Sequence, residues 1–487
     1  MGPVTRLAAV LIIVATLTTT SSPAGAADRD DDRRPNVIIV LADDLGWAEL
    51  GCYGNRFNET PHLDRMAERG TRFSHAYSAA PVCSPFRASL LTGQWPVRVG
   101  ITDYLRPTES RHLPLELTTI AEALQSTGYA TGLIGKWHLT GYRTAGVKNE
   151  VLPDRHGFDE VIVSENASIG GVSYFHPYHF NRGVERRLFP AEENPTAAKQ
   201  IPNFDVREFL VDRLNVEAVE FIERHQDRPF LLYKSHYAVH TSLNAPEQRI
   251  AKYRDKPGAA TERQGKPNNI HLAGQLEAID EGVGMIFEKL EQLRLSDNTI
   301  VIFMSDNGGE SNVTSNAPLR AGKSTLYEGG IRVPLIVDWP GRGTAGSVCR
   351  KPVCSVDIYP TLLAAAGLKA DSAAEAEDPI VDGKSLLPLI DNPRASLDRQ
   401  AIYWHYPLEK PHFLGGRSAG AVRQGDWKLI EFFDTGQIEL YNLPDDPSET
   451  NDLANTYPAL AKILRKDLAE WRTATGASIP AGQKVER

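Results

Sequence analysis

Asn36-Val-Ile-Ile-Val-Leu-Ala-Asp43-Asp44 decides the fold, because an unbroken apolar run that stops at two acids reads as a strand buried on both faces. The strand is expected over Asn36–Leu41. Working outward, three more runs repeat the pattern: Tyr129-Ala-Thr-Gly-Leu-Ile134, Pro229-Phe-Leu-Leu-Tyr233 and Thr299-Ile-Val-Ile-Phe-Met304. Helical patterns lie between them. Thr118 is placed to cap a helix running to about Gly128, Phe209–His225 carries Leu210, Leu214, Val219 and Ile222 at helical spacing, and Leu276–Leu293 is amphipathic. Buried strands alternating with helices predict an α/β fold: a large mixed, mostly parallel sheet flanked by helices.

Beyond about Gly367 the texture changes. Ala370–Pro379 is alanine-rich and acidic, as expected of a linker or surface loop. Short segments follow at Ala401–Trp404, Ala421–Arg423, Trp427–Phe433 and Gln437–Tyr441, with turn residues between them, then a helix over about Pro458–Thr473. This predicts a small C-terminal antiparallel sheet with one helix.

The bulk numbers exclude several classes. With 41% hydrophobic and 24% charged residues over 487 positions, a packed core is expected and wholesale disorder is not. A net charge of -9 gives no footprint for nucleic acid, so any attraction for an anion must come from a local cationic pocket. Arg6, the apolar stretch Leu7–Leu17 and Ala24-Gly25-Ala26 read as a cleaved signal peptide over residues 1–26. That stretch is shorter than the roughly 20 residues needed to cross a bilayer, so an exported, periplasmic or extracellular protein without stable membrane insertion is expected. Four cysteines (Cys52, Cys83, Cys349, Cys354) are too few for a disulfide scaffold, although export permits a Cys349–Cys354 bridge.

The strand ends carry the chemistry. The first run stops at Asp43-Asp44, the second at Lys136-Trp137-His138, the third leads through His236 to His240, and the fourth stops at Asp306-Asn307. In open α/β sheets ligands bind beyond the carboxyl ends of the strands, so parallel strands would bring these groups to one rim. Any single Asp after a strand is more often a turn former or helix cap; four reactive endings together are not explained that way. Asp43, Asp44, Asp306 and Asn307 offer only oxygen, the donor wanted by a hard cation such as calcium or magnesium rather than zinc. Arg87, Lys136, His138, His240 and Lys323 form a cationic set suited to a tetrahedral oxyanion. Cys83-Ser84-Pro85-Phe86-Arg87, ending at Gly93, reads as a helix whose first residue is Cys83, where free amides favour an anion. By itself Cys83 could equally be a buried structural thiol or a low-pKa nucleophile.

From about Asn36 to the C-terminal helix the chain resembles the type I, formylglycine-dependent sulfatases of the arylsulfatase A kind, in the alkaline phosphatase superfamily. Cys83-Ser-Pro-Phe-Arg87 matches the family's C-x-P-x-R. Leu41-Ala-Asp-Asp-Leu-Gly-Trp47, Gly135-Lys-Trp-His138, Ser305-Asp-Asn-Gly-Gly-Glu310 and Arg320-Ala-Gly-Lys-Ser-Thr325 support it in the family's order. The resemblance implies a catalytic domain over 35–395 with an alkaline phosphatase-like fold, and a small α+β subdomain over 396–480. It further implies that a formylglycine-generating enzyme oxidises Cys83 to 3-oxoalanine, hydrated to a geminal diol. Asp43, Asp44, Asp306 and Asn307 would bind one Ca2+ per chain. Arg87, Lys136, His138, His240 and Lys323 would bind sulfate and transfer protons, with Asp306 as a proton acceptor. The implied reaction is release of inorganic sulfate from a sulfate monoester.

Two positions depart from the family's pattern. Phe86 stands where a small residue is usual, and Val239-His240-Thr241-Ser242 replaces P-H-x-P, which leaves His236 as a rival to His240. Alternatives on the same residues are a phosphomonoester or phosphonate hydrolase, or a non-catalytic glycan-binding protein if Cys83 is unmodified. Export and two aromatic, His-rich segments, Tyr174–His179 and Tyr403–Tyr406, point to a sulfated carbohydrate substrate. The Tyr403 segment also reads as a strand, whose aromatics would be core.

Overall fold

The apolar run after Pro35 forms β1 (Asn36–Ala42), and its side chains divide by parity. Val37, Ile39 and Leu41 enter one apolar cluster, while Ile38, Val40 and Ala42 enter another on the opposite face. That two-sided burial is the reason the run has no polar alternation. The computed structural model describes residues 1–2, 34–106, 109–140, 151–164, 174–175, 208–262, 264–368 and 380–483. The expected signal peptide beyond Gly2, the acidic stretch 370–379 and residues 176–179 lie outside the described residues.

Arg34–Arg487 is one compact unit. Its large sheet continues with β2 (Thr71–Tyr77), β3 (Ala130–Lys136), β4 (Glu160–Ser164), β5 (Phe230–Ser235), β6 (Thr299–Ser305), β7 (Arg332–Asp338), β8 (Ser347–Cys349) and β9 (Val353–Cys354). The order is β4-β3-β5-β1-β6-β7-β2-β8, with β9 also on β2. The pairs from β4 through β6 are parallel, and β7 runs antiparallel to β6 and β2. β3, β5, β1 and β6 are therefore consecutive neighbours with their carboxyl ends on one edge. The fold is the mixed, mostly parallel α/β sheet expected, flanked by helices that include Cys83–Thr92, Leu210–Arg224 and Ile270–Gln292.

Several boundaries differ for local reasons. Thr119, not Thr118, caps the helix Ile120–Gln125, in a capping box with Glu122. The long helix starts at Ile270 rather than Leu276, because the Asn269 side chain accepts from the amides of His271 and Leu272. β5 extends through Lys234, whose charged side chain reads as a strand end yet is fully buried and donates to Asn215 Oδ1 at 2.5 Å. The permitted Cys349–Cys354 bridge does not form; all four cysteines are free. Cys349 pairs with Phe73 and Cys354 with Tyr77, four residues along β2. That is roughly 13 Å at about 3.3 Å per residue, too far for a disulfide.

Burial pushes the Lys234 ammonium down to about 7, with Asp212 opposing. Between that value and about 10.5 the unfolded chain binds the proton and the folded chain does not, so stability should rise with pH across this window. The penalty below it is on the order of 3–5 kcal/mol at about 1.4 kcal/mol per pH unit. Lys234→Met leaves Asn215 Oδ1 without its donor, at about 1–3 kcal/mol. It is nevertheless expected to raise stability at neutral pH by about 1–3 kcal/mol and to flatten the rise above pH 7, measured by denaturant unfolding across pH.

The C-terminal segments form β10 (Ala401–Tyr406), β11 (Ala419–Gln424), β12 (Trp427–Phe432) and β13 (Ile438–Asn442), an antiparallel sheet in that order. One face packs Val422, Leu429 and Leu440 against Ala461, Leu464 and Leu468 of the helix Pro458–Thr475. The other packs Trp404, Tyr406 and Phe432 against Tyr77, Val82 and Trp95 of the main body. Trp404 Nε1 donates to the Ser78 carbonyl at 2.8 Å and Tyr403 stacks on Trp471, so these aromatics are core and do not face a sugar. Among the described residues no helix is long and apolar enough to cross a membrane.

Candidate active site

The four neighbouring strand ends deliver their reactive residues to one rim. Leu41 is level with Ser235, Gly135 with Ser235, and Ala42 with Ser305, so Asp43, Lys136, His236 and Asp306 follow at similar heights. Gly135 has φ +111°, and a Cβ there would lie 1.8 Å from the Ser235 carbonyl oxygen, so glycine is required beside Lys136. Asp44 and His138 also adopt left-handed backbone, φ 61° and 59°. Such conformations in residues with a Cβ collect at functional sites.

The oxygen donors converge. Asp44 N donates to Asp306 Oδ1 at 3.1 Å, and Asn307 Nδ2 donates to Asp44 Oδ1 at 2.7 Å and to the Gly308 carbonyl at 3.0 Å. This turns the amide oxygen of Asn307 the other way, buried and with no hydrogen-bond partner among the described residues. A buried acceptor without a donor is costly unless a cation takes it. Asp43, Asp44 and Cys83 offer donor atoms within 4.8 Å of one another. Burial, then the Asp306 carboxylate, pushes Asp43 up to about 8. A hard cation among these oxygens would relieve that repulsion, so the residues fit calcium or magnesium.

The cations close around the carboxylates. Arg87, one turn into the helix that Cys83 begins, donates to Asp306 Oδ2 at 2.9 Å, to the Lys136 carbonyl at 3.1 Å and to Ser235 Oγ. Lys136 Nζ donates to Asp43 Oδ2 and Lys323 Nζ to Asp44 Oδ2 at 2.7 Å. Against the desolvation that opposes it, Asp44 holds Lys323 well above the usual lysine value. Burial alone would raise Asp44 and Asp306; Lys323 holds the former down and Arg87 the latter. The Cys83 helix opens on Val82, with no side-chain cap, so its first amides are free.

Both histidines have an assigned tautomer. His138 Nε2 lies 3.0 Å from the Leu105 carbonyl, which can only accept, so Nε2 carries the proton and buried Nδ1 is a free lone pair. His240 Nδ1 lies 2.6 Å from the Thr241 carbonyl, which leaves Nε2 facing Asp44 Oδ2 at 3.6 Å. Burial, then Lys323, pushes His240 down to about 3. His236 is wholly buried beside Lys234, with neither ring nitrogen partnered among the described residues. The chain therefore brings His240, not His236, to the carboxylates. Sequence reading missed Ser84, Leu105 and Ser235, which hold the site by backbone and hydroxyl contacts; strand and loop positions of that kind carry no residue-type signal. It also misplaced Tyr174: its ring is buried, and its hydroxyl donates to the carbonyls of Tyr237 and His240 at 2.8 Å, fixing the His240 turn.

Residues 35–368 match the family model described as sulfatase, and residues 321–474 match the C-terminal model of N-sulphoglucosamine sulphohydrolase. The chain belongs to the sulfatase family. It is a sulfuric ester hydrolase of the type I group within the alkaline phosphatase superfamily. This sulfatase is 35% identical to N-acetylgalactosamine-6-sulfatase of Homo sapiens over 391 residues, 76% of this chain and 68% of the relative. It is 33% identical to arylsulfatase A of Homo sapiens over 457 residues, 90% and 82%. Among solved structures, Ps i-CgsB in complex with k-i-k-neocarrahexaose superposes on the sulfatase with a TM-score of 0.74 at 30% identity, covering 92% of this chain and 95% of that one. The phosphonate monoester hydrolase of Agrobacterium radiobacter, at 20% identity and TM-score 0.65, shares the fold alone.

Proposed function

We propose that this sulfatase releases inorganic sulfate from a sulfated carbohydrate after export, using Cys83 oxidised to 3-oxoalanine by a formylglycine-generating enzyme and one Ca2+ per chain. The observation that carries the reading is the buried Asn307 Oδ1, unpartnered among the described residues, beside three carboxylates with Cys83 at their edge. Cys83 Sγ lies 3.5 Å from Asp43 Oδ1, and burial pushes its thiol up to about 12, so the residue as encoded is no thiolate nucleophile. A soft sulfur is also a poor neighbour for a hard cation, whereas an oxygen at position 83 completes an all-oxygen set. Phe86 is wholly buried in the apolar cluster beneath the helix. Its size is therefore accommodated by packing away from the site.

Asp43, Asp44, Asp306 and Asn307 would hold calcium, which supplies charge neutralisation to the sulfate oxygens. Hydrated 3-oxoalanine supplies two hydroxyls on one carbon, one to attack sulfur and one whose deprotonation releases sulfate by C–O cleavage. Asp43 Oδ1 is the carboxylate oxygen within reach of position 83. Asp306 is committed to Arg87 and to the Asp44 amide, so Asp43 takes the first proton in its place. Lys136, Lys323 and the free helix amides hold the oxyanion. His138 Nδ1, held as a lone pair by the Leu105 carbonyl, accepts the proton of the second hydroxyl. Lys323, held as an ammonium by Asp44, supplies the proton that the departing alcohol oxygen takes, and neutral His240, whose own proton sits on Nδ1, presents its Nε2 lone pair beside Asp44.

The test is release of sulfate from defined sulfated saccharides, against matched phosphate esters, with calcium present. Sulfate esters should be hydrolysed at least about a hundred-fold faster, a difference of about 3 kcal/mol in barrier. Chelation should stop the reaction and calcium restore it. Faster phosphate hydrolysis, or full activity in chelator, would overturn the reading.

A further inference from the structure

Phe413 lies in the loop between β10 and β11 and is 79% exposed, more than any other described large apolar side chain except Met1. Yet it is held. Its ring stacks on His412 at 4.3 Å between centroids and 28° between planes. His412 Nδ1 accepts from Leu414 N at 3.1 Å, and the turn is closed by His412 N on the Gly416 carbonyl at 2.8 Å. A Cβ on Gly416 would sit 2.0 Å from the Ser324 carbonyl oxygen, so glycine lets this loop press against the segment that carries Lys323. On its other side His412 meets Tyr104 edge-on at 5.5 Å and 78°. The next residue, Leu105, bonds both Ser84 Oγ and His138. Their loop thus meets the segment that carries Lys323 on one side and Tyr104, whose neighbour Leu105 bonds Ser84 and His138, on the other, close enough for His412 to feel the charges of Lys323 and Asp44.

The chemistry of this corner is specific. Because Nδ1 accepts a backbone hydrogen bond, the neutral imidazole carries its proton on Nε2, for which no described residue is an acceptor. Burial, then the charges of Lys323 and Arg106, pushes His412 down to about 4, so the ring is a neutral donor at working pH. The Arg106 guanidinium over Tyr104 is already paired with Asp103 and Glu109. The corner therefore offers an aromatic face and one neutral N–H, not a second free cation. An aromatic face with its negative quadrupole suits the polarised C–H face of a pyranose.

We infer that His412 and Phe413 form the leaving-group subsite of this sulfatase: the Phe413 ring underlies a sulfated pyranose, and His412 Nε2 donates to an oxygen of that sugar. This rests on the carbohydrate reading above. The subsite recognises a neutral ring and hydroxyl pattern, so it selects for saccharide over simple esters without requiring a second sulfate.

The experiment compares kcat/KM for a sulfated pyranoside with that for a sulfate ester lacking any ring, and takes their ratio. Phe413→Ala should lower the ratio by about ten-fold, mainly through KM for the saccharide, and Phe413→Trp should restore it to within about three-fold. His412→Ala should lower it by about ten-fold, and His412→Gln, which keeps an N–H donor, by less. Phe413 is too exposed for its loss to unfold the chain, and melting temperatures check His412. A ratio kept within about two-fold in Phe413→Ala overturns the subsite. If wild-type protein cleaves the ringless ester and no saccharide, the carbohydrate reading falls and takes the subsite with it; saccharide turnover indifferent to both residues overturns the subsite alone.

Discussion

Cys83→Ala is expected to cut sulfate release by about 10⁵-fold or more while leaving the fold in place, because it deletes the thiol whose oxidation creates the aldehyde and so the nucleophilic diol. Among the described residues the hydrogen bond of Cys83 Sγ is a long one, to Asp43 Oδ1 at 3.5 Å, so little polar structure depends on it. Cys83→Ser should be nearly as inactive. A serine hydroxyl replaces the attacking oxygen in position, yet it supplies no second hydroxyl through which the bound sulfate could be expelled by C–O cleavage. Steady-state turnover measures the loss, and the melting temperature verifies the fold. A Cys83→Ala protein with more than about a hundredth of wild-type activity would remove position 83 from the chemistry.

Asp306→Ala is expected to have the second largest effect, on metal binding, turnover and stability together. Asp306 is the 2.9 Å partner of Arg87, whose side chain is wholly buried; Asp43 lies 3.9 Å from the same guanidinium. Removing the nearer carboxylate leaves a buried cation poorly compensated, at about 3–5 kcal/mol. Asp306→Asn keeps the shape and one oxygen, so it should cost less stability and still lose calcium affinity by well over about ten-fold. Calorimetric titration with calcium, alongside denaturant unfolding, separates the two effects. Calcium bound by Asp306→Ala with wild-type affinity would exclude this residue from the metal site.

The main sheet was legible because its central strands are buried on both sides and so are uniformly apolar; β1 and β6 lie within one or two residues of their expected ends. β7 was not legible, since Pro334 sits where β2 shifts register between Phe73 and Ala76, and a proline there hides a strand. Lys234 misled in the opposite direction, as a charged residue that the fold nevertheless buries against Asn215. At the rim, the acids and Lys136 followed from strand ends. Choosing His240 over His236 needed the turn that pairs Asp43 with Ala238 and Val239 through backbone hydrogen bonds, which no spacing rule announces. His412 and Phe413 were beyond reach for the same kind of reason: their loop belongs to the small sheet, and it reaches the site through tertiary contacts of Gly416 with Ser324 and of His412 with Tyr104.

Catalysis depends above all on what occupies position 83 in the working enzyme. Mass spectrometry of the peptide bearing Cys83, from protein produced with a formylglycine-generating enzyme and assayed for sulfate release, measures this directly. An aldehyde in place of the thiol, trapped by a hydrazide and in proportion to specific activity, is the result predicted. An intact thiol throughout a fully active preparation would contradict it.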